Sequence, residues 1–195
     1  MITTQDIKHL RERTGAGILD CREALIESEG DLDRALRALR AKAALVTEKR
    51  ADRTTHEGYL ATYTHAGRIG VVVELRCETD FVSGNRGFRE LAHEIALQVA
   101  AQKPRWISRD DVPAEVIAGL AAEERMTAVE MGKSAPIVER IVAGKVERFY
   151  RDNCLLEQPY IRNDKETIGD LVRDKILAFG EKLSVSRFVR LELGE

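Results

Sequence analysis

The amino-acid sequence predicts an α+β fold, and three observations support this. The first fifty residues contain short runs with apolar residues at helical spacing, separated by glycines. Two β-rich runs follow, joined by a short turn, and the end of the chain alternates between apolar and polar residues. We therefore predict a three-helix domain with its linker over residues 1–52 and an α+β core over residues 53–195. The core should hold a three-stranded antiparallel sheet packed with helices, including a protruding helical hairpin at about 113–151.

Three short helices are predicted in the N-terminal domain. Thr3 or Thr4 can cap the first helix, and Thr14–Gly17 ends it, because glycine readily adopts the left-handed conformation found at helix ends. A second helix also ends at a glycine, and Asp31 is a suitable N-cap for the third. Residues 41–55 then lose the apolar period and gather basic side chains. This stretch is either a solvated helix end with a linker or a basic strip that faces a partner.

The predicted core begins with a β-hairpin. Its two strands, within Tyr59–Thr64 and Ile69–Cys77, are joined by a turn at residues 66–68. The clean alternation of Ser184–Leu193 predicts a last strand, which would complete the three-stranded antiparallel sheet. An extended stretch is expected at Leu155–Ile161. Four helices are predicted between the strands, over about 88–102, 113–131, 137–151 and 167–180.

Composition restricts the possible partners and location. A net charge of -2 gives little attraction for a phosphate backbone, so we expect no direct nucleic-acid binding. No apolar run approaches the ~20 residues that cross a bilayer, so we expect no membrane association. The three cysteines are odd in number and widely scattered, which favours a reducing compartment, and we predict the cytoplasm.

The sequence contains no arrangement typical of a catalytic or metal site. The four histidines are not spaced as metal ligands with one another or with cysteine. The segment Thr14–Gly17 lacks the preceding strand and the Lys-Ser/Thr pair of a nucleotide-binding loop, and a helix break explains it better. We therefore predict that the protein is not an enzyme and has no catalytic residues, cofactor or metal.

One segment, Cys77–Asn85, has residue types that the needs of the fold alone do not explain. It directly follows the strongest predicted strand and precedes a helix. Thr79 and Asp80 can hold a defined turn by bonding to neighbouring backbone, which places Phe81 and Val82 at a strand-to-helix corner. An apolar pair rimmed by polar residues is a common form of protein-binding anchor. The alternative is that Phe81 folds back into the core of its own chain.

Four motifs occur in a fixed order along nearly the whole chain. They are Leu10–Cys21, the strand end with Thr79–Val82, the pair Lys103–Arg105 and Asp111–Pro113, and Leu155–Tyr160. Together they resemble the elongation factor Ts family, the bacterial nucleotide-exchange factors for elongation factor Tu. An ordered set of four motifs is much more specific than a single tetrapeptide.

The resemblance implies a function and a set of contact residues. It implies nucleotide exchange on elongation factor Tu, with an N-terminal domain similar to a ubiquitin-associated fold that docks on the GTPase through Arg11, Ile18 and Leu19. The turn holding Thr79, Asp80, Phe81 and Val82 would be a wedge entering the GTPase near its magnesium and switch helix. Gln98, where some family members carry histidine, would help to disturb the phosphate loop.

Two departures from the family pattern affect these expectations. Ser83-Gly84 stands where many relatives have Ala-Arg or Ala-Lys, which removes a charge beside the wedge. The chain also carries one copy of a core unit that long members carry twice, and short members pair as dimers through their sheets. Since exposed strand edges favour pairing, we expect a homodimer through the C-terminal strand, which carries Phe188, Val189 and Leu191.

Besides an enzyme, two other classes of function are alternatives for this chain. One is a binding adaptor without exchange activity, but an adaptor needs no aromatic residue at the Phe81 corner. The other is an RNA-associated translation protein, which the acidic charge balance and the lack of aromatic stacking platforms disfavour.

Overall fold

The computed structural model describes residues 2–50 and 52–195 of the chain. It divides into two compact units, residues 1–100 with 169–195, and residues 101–168. The first unit contains the N-terminal helices and the three-stranded sheet, and the second contains a helical hairpin. The α+β fold class is confirmed. The three-helix segment and the sheet fall in one unit, so this division does not test the predicted domain boundary near residue 52, which stays a prediction.

The N-terminal segment forms three helices, α1 (Thr4–Thr14), α2 (Ile18–Glu27) and α3 (Leu32–Lys49). Thr3 is the N-cap of α1 and forms a capping box with Asp6. Asp31 accepts the backbone N–H of Arg34 at 2.9 Å at the start of α3. Leucine, alanine and cysteine side chains from all three helices form one apolar core, in which Leu10, Cys21, Leu25, Ala35 and Leu39 are buried.

Helix α3 continues further than the loss of apolar period indicated. It extends to Lys49, so the first half of the basic stretch is helical. Lys42 pairs with Asp20 of α2. Arg50 and Arg53 both pair with Glu78. Three of the basic side chains therefore form ion pairs within the chain.

The N-terminal helices pack against a helix near the end of the chain, α8 (Ile168–Phe179). Arg40 of α3 donates from Nε and Nη2 to the carboxylate of Asp174, at 2.8 Å and 2.6 Å. Gly15 ends α1 with φ of 69°, and a Cβ built there would lie 2.7 Å from the Cβ of Ala178. The predicted left-handed glycine is confirmed, and the missing side chain also permits the close approach of α8.

The sheet has the order β1-β2-β5, with strands β1 (Glu57–His65), β2 (Ile69–Cys77) and β5 (Ser184–Glu192). Both pairings are antiparallel, as predicted. Ala66 and Gly67 have φ of 50° and 66°, the positive sign that primed hairpin turns require. Val71, Val73 and Leu75 point into the core, against which α5 (Arg86–Gln102) contributes its own buried face.

The second unit contains α6 (Ala114–Glu130) and α7 (Ala135–Asn153), the predicted hairpin. Its helices run antiparallel, since Glu124 pairs with Lys145 and Arg125 pairs with Glu139. Ala128, Val138 and Val142 form its apolar core.

A second, two-stranded sheet in this unit was not predicted. It pairs β3 (Pro159–Tyr160) with β4 (Asn163–Thr167). The expected extended stretch over Leu155–Ile161 is wrong at its start, since Leu155–Glu157 form a 3₁₀ turn. Cys154 and Leu155, which flank the start of this turn, are both buried.

Among the described residues, no helix is both long and apolar enough to cross a bilayer. The cysteines Cys21, Cys77 and Cys154 are all buried as free thiols.

Candidate functional site

Phe81 lies on the surface with 82% of its area exposed. It belongs to a single helical turn, α4 (Asp80–Ser83), between β2 and α5. Exposing a phenylalanine ring to water is unfavourable, so a ring displayed this openly is a candidate contact for a partner. Of the two alternatives, packing into its own core is excluded by this exposure. The predicted corner position is confirmed.

The side chain of the neighbouring Val82 is buried. It is 3% exposed and anchors the turn in the core of the first unit. The Oγ of Ser83 donates to the backbone oxygen of Asp80 at 3.1 Å, and the backbone N–H of Gly84 donates to the same oxygen at 2.8 Å. Of the four predicted wedge residues, Thr79, Asp80 and Phe81 are therefore accessible and Val82 is not. Val82 can support Phe81 from beneath.

Glu181, just after α8, holds the entrance to the turn. Its Oε2 accepts the backbone N–H groups of Glu78 and Thr79, both at 3.2 Å. Its Oε1 accepts the hydroxyl of Thr79 at 2.6 Å. Thr79 is the N-cap of α4 but makes no side-chain cap bond to the helix, because its hydroxyl is directed to Glu181. A residue distant in sequence therefore replaces the local cap.

Glu78 makes the reciprocal contact. Its carboxylate accepts the backbone N–H of Lys182 at 2.7 Å, and guanidinium groups of Arg50 and Arg53 at 2.8 Å and 2.9 Å. Burial of the carboxyl raises its pKa, but the hydrogen bonds from the backbone and from the two arginines outweigh burial and lower the pKa to about 2. Glu78 is therefore ionised at neutral pH and joins the end of α3 to the entrance of the wedge.

Two further contacts fix the turn. The Sγ of Cys77 donates to the backbone oxygen of Thr79 at 3.2 Å, and burial, with the nearby Glu181 carboxylate, raises the pKa of this thiol to about 11. On the other side, the Nε of Arg89 donates to the backbone oxygen of Ser83 at 3.1 Å, and its guanidinium lies 5.2 Å from the centre of the Tyr59 ring. The wedge is thus held from both ends.

The predicted docking residues form a second exposed surface. Ile18 is 55% and Leu19 is 71% exposed, at the first two positions of α2, and Arg11 is exposed on α1. Ile26 was not predicted, although it lies seven residues after Leu19 and is also exposed. A separation of seven residues returns nearly to the same side of a helix, and this spacing could have revealed Ile26.

Gln98 is not on the exposed surface with the other predicted site residues. It is on α5 and fully buried, whereas the wedge and docking residues, apart from Val82, are accessible. In this conformation its side chain is closed to a partner, and its role in disturbing a phosphate loop stays a prediction.

Comparison with known proteins identifies the family of the chain. The family described as "Elongation factor TS" matches residues 20–195, which is most of the sequence. The chain belongs to the elongation factor Ts family. The predicted resemblance is confirmed, and with it the broad role of a translation elongation factor.

Curated relatives match over the whole of this chain and at least 90% of their own lengths. Elongation factor Ts of Moorella thermoacetica is 48% identical, over 100% of this chain and 97% of the relative. The protein of the same name from Caldanaerobacter subterraneus is 47% identical, over 100% and 98%. That of Carboxydothermus hydrogenoformans is 48% identical, over 100% and 90%. Similarity of this extent supports one common fold for the elongation factor Ts chains.

Proposed function

We propose that this protein is a guanine-nucleotide exchange factor for the translation GTPase elongation factor Tu. The exposed ring of Phe81 on a turn fixed at both ends is the observation that carries the proposal. In the proposed mechanism, Asp80 and Phe81 enter the GTPase near its magnesium and switch helix and weaken its hold on GDP. The family membership and the name shared by the relatives support this partner.

The energetics require more than one contact. Burying the Phe81 ring contributes about 1.5–3 kcal/mol. Since about 1.4 kcal/mol is a factor of ten, this corresponds to about a tenfold to hundredfold weakening of the GTPase's hold on GDP, so docking elsewhere must add to it. If the protein weakens GDP binding by some factor, GDP weakens binding of the protein by the same factor. Exchange is therefore accelerated without energy input, and the surrounding GTP concentration decides which nucleotide rebinds.

Docking by the N-terminal helices would supply additional affinity. Ile18 and Leu19 offer an apolar contact, Arg11 a charged one, and Ile26 extends the same surface. Their exposure supports this role. The protein then acts by binding alone, in the cytoplasm, with no cofactor and no bond chemistry of its own.

A homodimer through the C-terminal strand is part of the proposal. Strand β5 lies at an edge of the sheet, and Val189 and Leu191 are exposed on its outer face. Val72, which pairs with Val189 across the ladder, is also exposed. An apolar face next to a strand edge favours pairing of two copies. Phe188 faces inward beside Val73 and is only partly exposed, so it would contribute less.

Stopped-flow release of fluorescent GDP from purified elongation factor Tu tests the function directly. Adding the protein should raise the release rate in proportion to its concentration until saturation. Binding without faster release would instead favour the adaptor without exchange activity. No binding at all would remove elongation factor Tu as the partner.

A further inference from the structure

The β2–β5 ladder ends just before the wedge. Its last paired residues are Arg76 and Ser184, so the backbone amides of residues 78, 79 and 182 lie beyond this ladder. All three donate to carboxylates. The amides of Glu78 and Thr79 donate to Glu181, and the amide of Lys182 donates to Glu78. The two segments therefore continue to bind each other through side chains after the backbone ladder stops.

This reciprocal pair, Glu78 and Glu181, is termed here the carboxylate clamp. Each carboxylate reaches across to the backbone of the other's segment. Hydrogen bonds that involve a charged group are stronger than neutral ones, so a carboxylate receiving three donors is a firm attachment. The clamp acts at the residue immediately before α4, and α4 carries Phe81 as its second residue.

A helix of a single turn, such as α4, does not hold its own orientation. An isolated helical turn is unstable, because nucleation fixes several residues for one hydrogen bond. The Phe81 ring is mostly exposed and adds little packing to its own chain. Val82 is buried beneath the turn, and Arg89 holds the end of the turn through a backbone oxygen. Glu181 holds the start of the turn, where it accepts both the backbone N–H and the hydroxyl of Thr79.

We propose that Glu181 is a positioning residue for exchange, which acts through the clamp to fix the direction of Phe81 before the partner is met. This inference rests on the proposed function. A wedge already oriented loses less conformational freedom on binding, so more of its interaction energy is available to deform the nucleotide site. Loss of Glu181 should then reduce the rate of release at saturation more than it reduces affinity, since the docking surface is unchanged.

The test compares Glu181→Ala with Glu181→Gln and Thr79→Val in the GDP-release assay. The alanine variant should lower the saturating release rate about fivefold to tenfold, with the half-saturating concentration changed less than about twofold. Glu181→Gln keeps an oxygen that can accept backbone N–H groups and should recover most of the rate. Thr79→Val removes only the hydroxyl and should lie between the alanine variant and wild type. The matched control is Glu130→Ala, on the exposed end of α6, which should behave as wild type.

Two measurements separate positioning from folding and from the general function. Amide hydrogen exchange at Glu78 and Thr79 should become faster in Glu181→Ala, while the far-UV circular dichroism spectrum at the assay temperature stays that of the wild type. In the Phe81→Ala background, Glu181→Ala should add almost nothing, because both changes act through the same ring. Wild-type release rates in Glu181→Ala, or an equal loss with and without Phe81, would overturn the inference alone. If the wild-type protein does not accelerate release, the proposed function fails and the inference fails with it.

Discussion

The two exposed apolar surfaces of this protein are supported in different ways. Ile18 and Leu19 lie at the start of a ten-residue helix whose other face, with Cys21 and Leu25, packs into the apolar core of the three helices. Phe81 lies on a four-residue turn that is held at its start by Glu181, a residue distant in sequence, and at its end by Arg89. A surface on an ordinary helix is suited to affinity, because adhesion tolerates small displacements. A single ring fixed at a corner is suited to changing a partner's conformation, because that effect depends on direction.

Replacing Phe81 with alanine should give the largest effect and is the sharpest test of this contrast. The ring makes almost no contact with its own chain, so the fold should be unchanged. The saturating rate of GDP release should fall about tenfold to hundredfold, with a modest loss of affinity. Stopped-flow fluorescence measures the rate, and circular dichroism checks the fold. The control is Met131→Ala, an exposed apolar residue at the end of α6. A wild-type release rate for Phe81→Ala would count against the wedge.

The double variant Ile18→Asp with Leu19→Asp should have the next largest effect, and on a different parameter. Placing two carboxylates in an apolar contact should weaken binding to the GTPase about tenfold, while the saturating release rate stays near wild type. A titration of release rate against protein concentration separates the two parameters. Leu45→Asp is the matched control, since Leu45 is a similarly exposed residue on α3. Unaltered binding by the double variant would show that α2 is not the docking element.

Local patterns were enough to predict most of the fold. The caps at Thr3 and Asp31 and the turn at Ala66-Gly67 depend on neighbouring residues, and the structure has them where the sequence placed them. Strand β3 escaped prediction because it has two residues, too few to show an alternating pattern.

The candidate site was only partly predictable for a related reason. The sequence located Phe81 but left two positions open for its ring, since exposure depends on packing and not on local pattern. Nothing near Thr79 in the sequence indicated Glu181, which lies 102 residues away. Contacts of such separation come from the β2–β5 pairing, and only the folded sheet brings them together.

Acidification should loosen the junction beside the wedge, with a smaller effect than the two replacements above. The pKa of Glu78 falls from 4.5 to about 2 on folding. A carboxyl whose pKa is lowered by folding stabilises the folded state above its unfolded pKa, and this contribution is lost as pH falls through the folded pKa. This contribution should be present in full above about pH 5 and should be nearly lost at about pH 2.

Urea unfolding of Glu78→Gln and wild type at several pH values measures this contribution. The difference in unfolding free energy between the two should shrink as pH is lowered. Glu90→Gln is the control, because Glu90 pairs with Arg86 at the surface, where an ion pair contributes less. A difference that stays constant from neutral to acid pH would show that the Glu78 contacts do not stabilise the fold.

The smallest effect is expected at Gly84, which directly follows the turn that carries Phe81. Its φ of -74° is ordinary for any residue, so no conformational strain opposes a side chain there. An added Cβ would lie 3.2 Å from the backbone oxygen of Asp80, which requires a small shift of the turn. Restricting the unfolded chain stabilises by about 0.4–1 kcal/mol, and the close contact offsets part of this. Gly84→Ala should therefore change the unfolding free energy by less than about 0.5 kcal/mol and the GDP release rate by less than about twofold. A large loss of release rate with unchanged stability would contradict this expectation. It would show that release depends on shifts of a few tenths of an ångström in the position of Phe81, a sensitivity that the docking surface should not have.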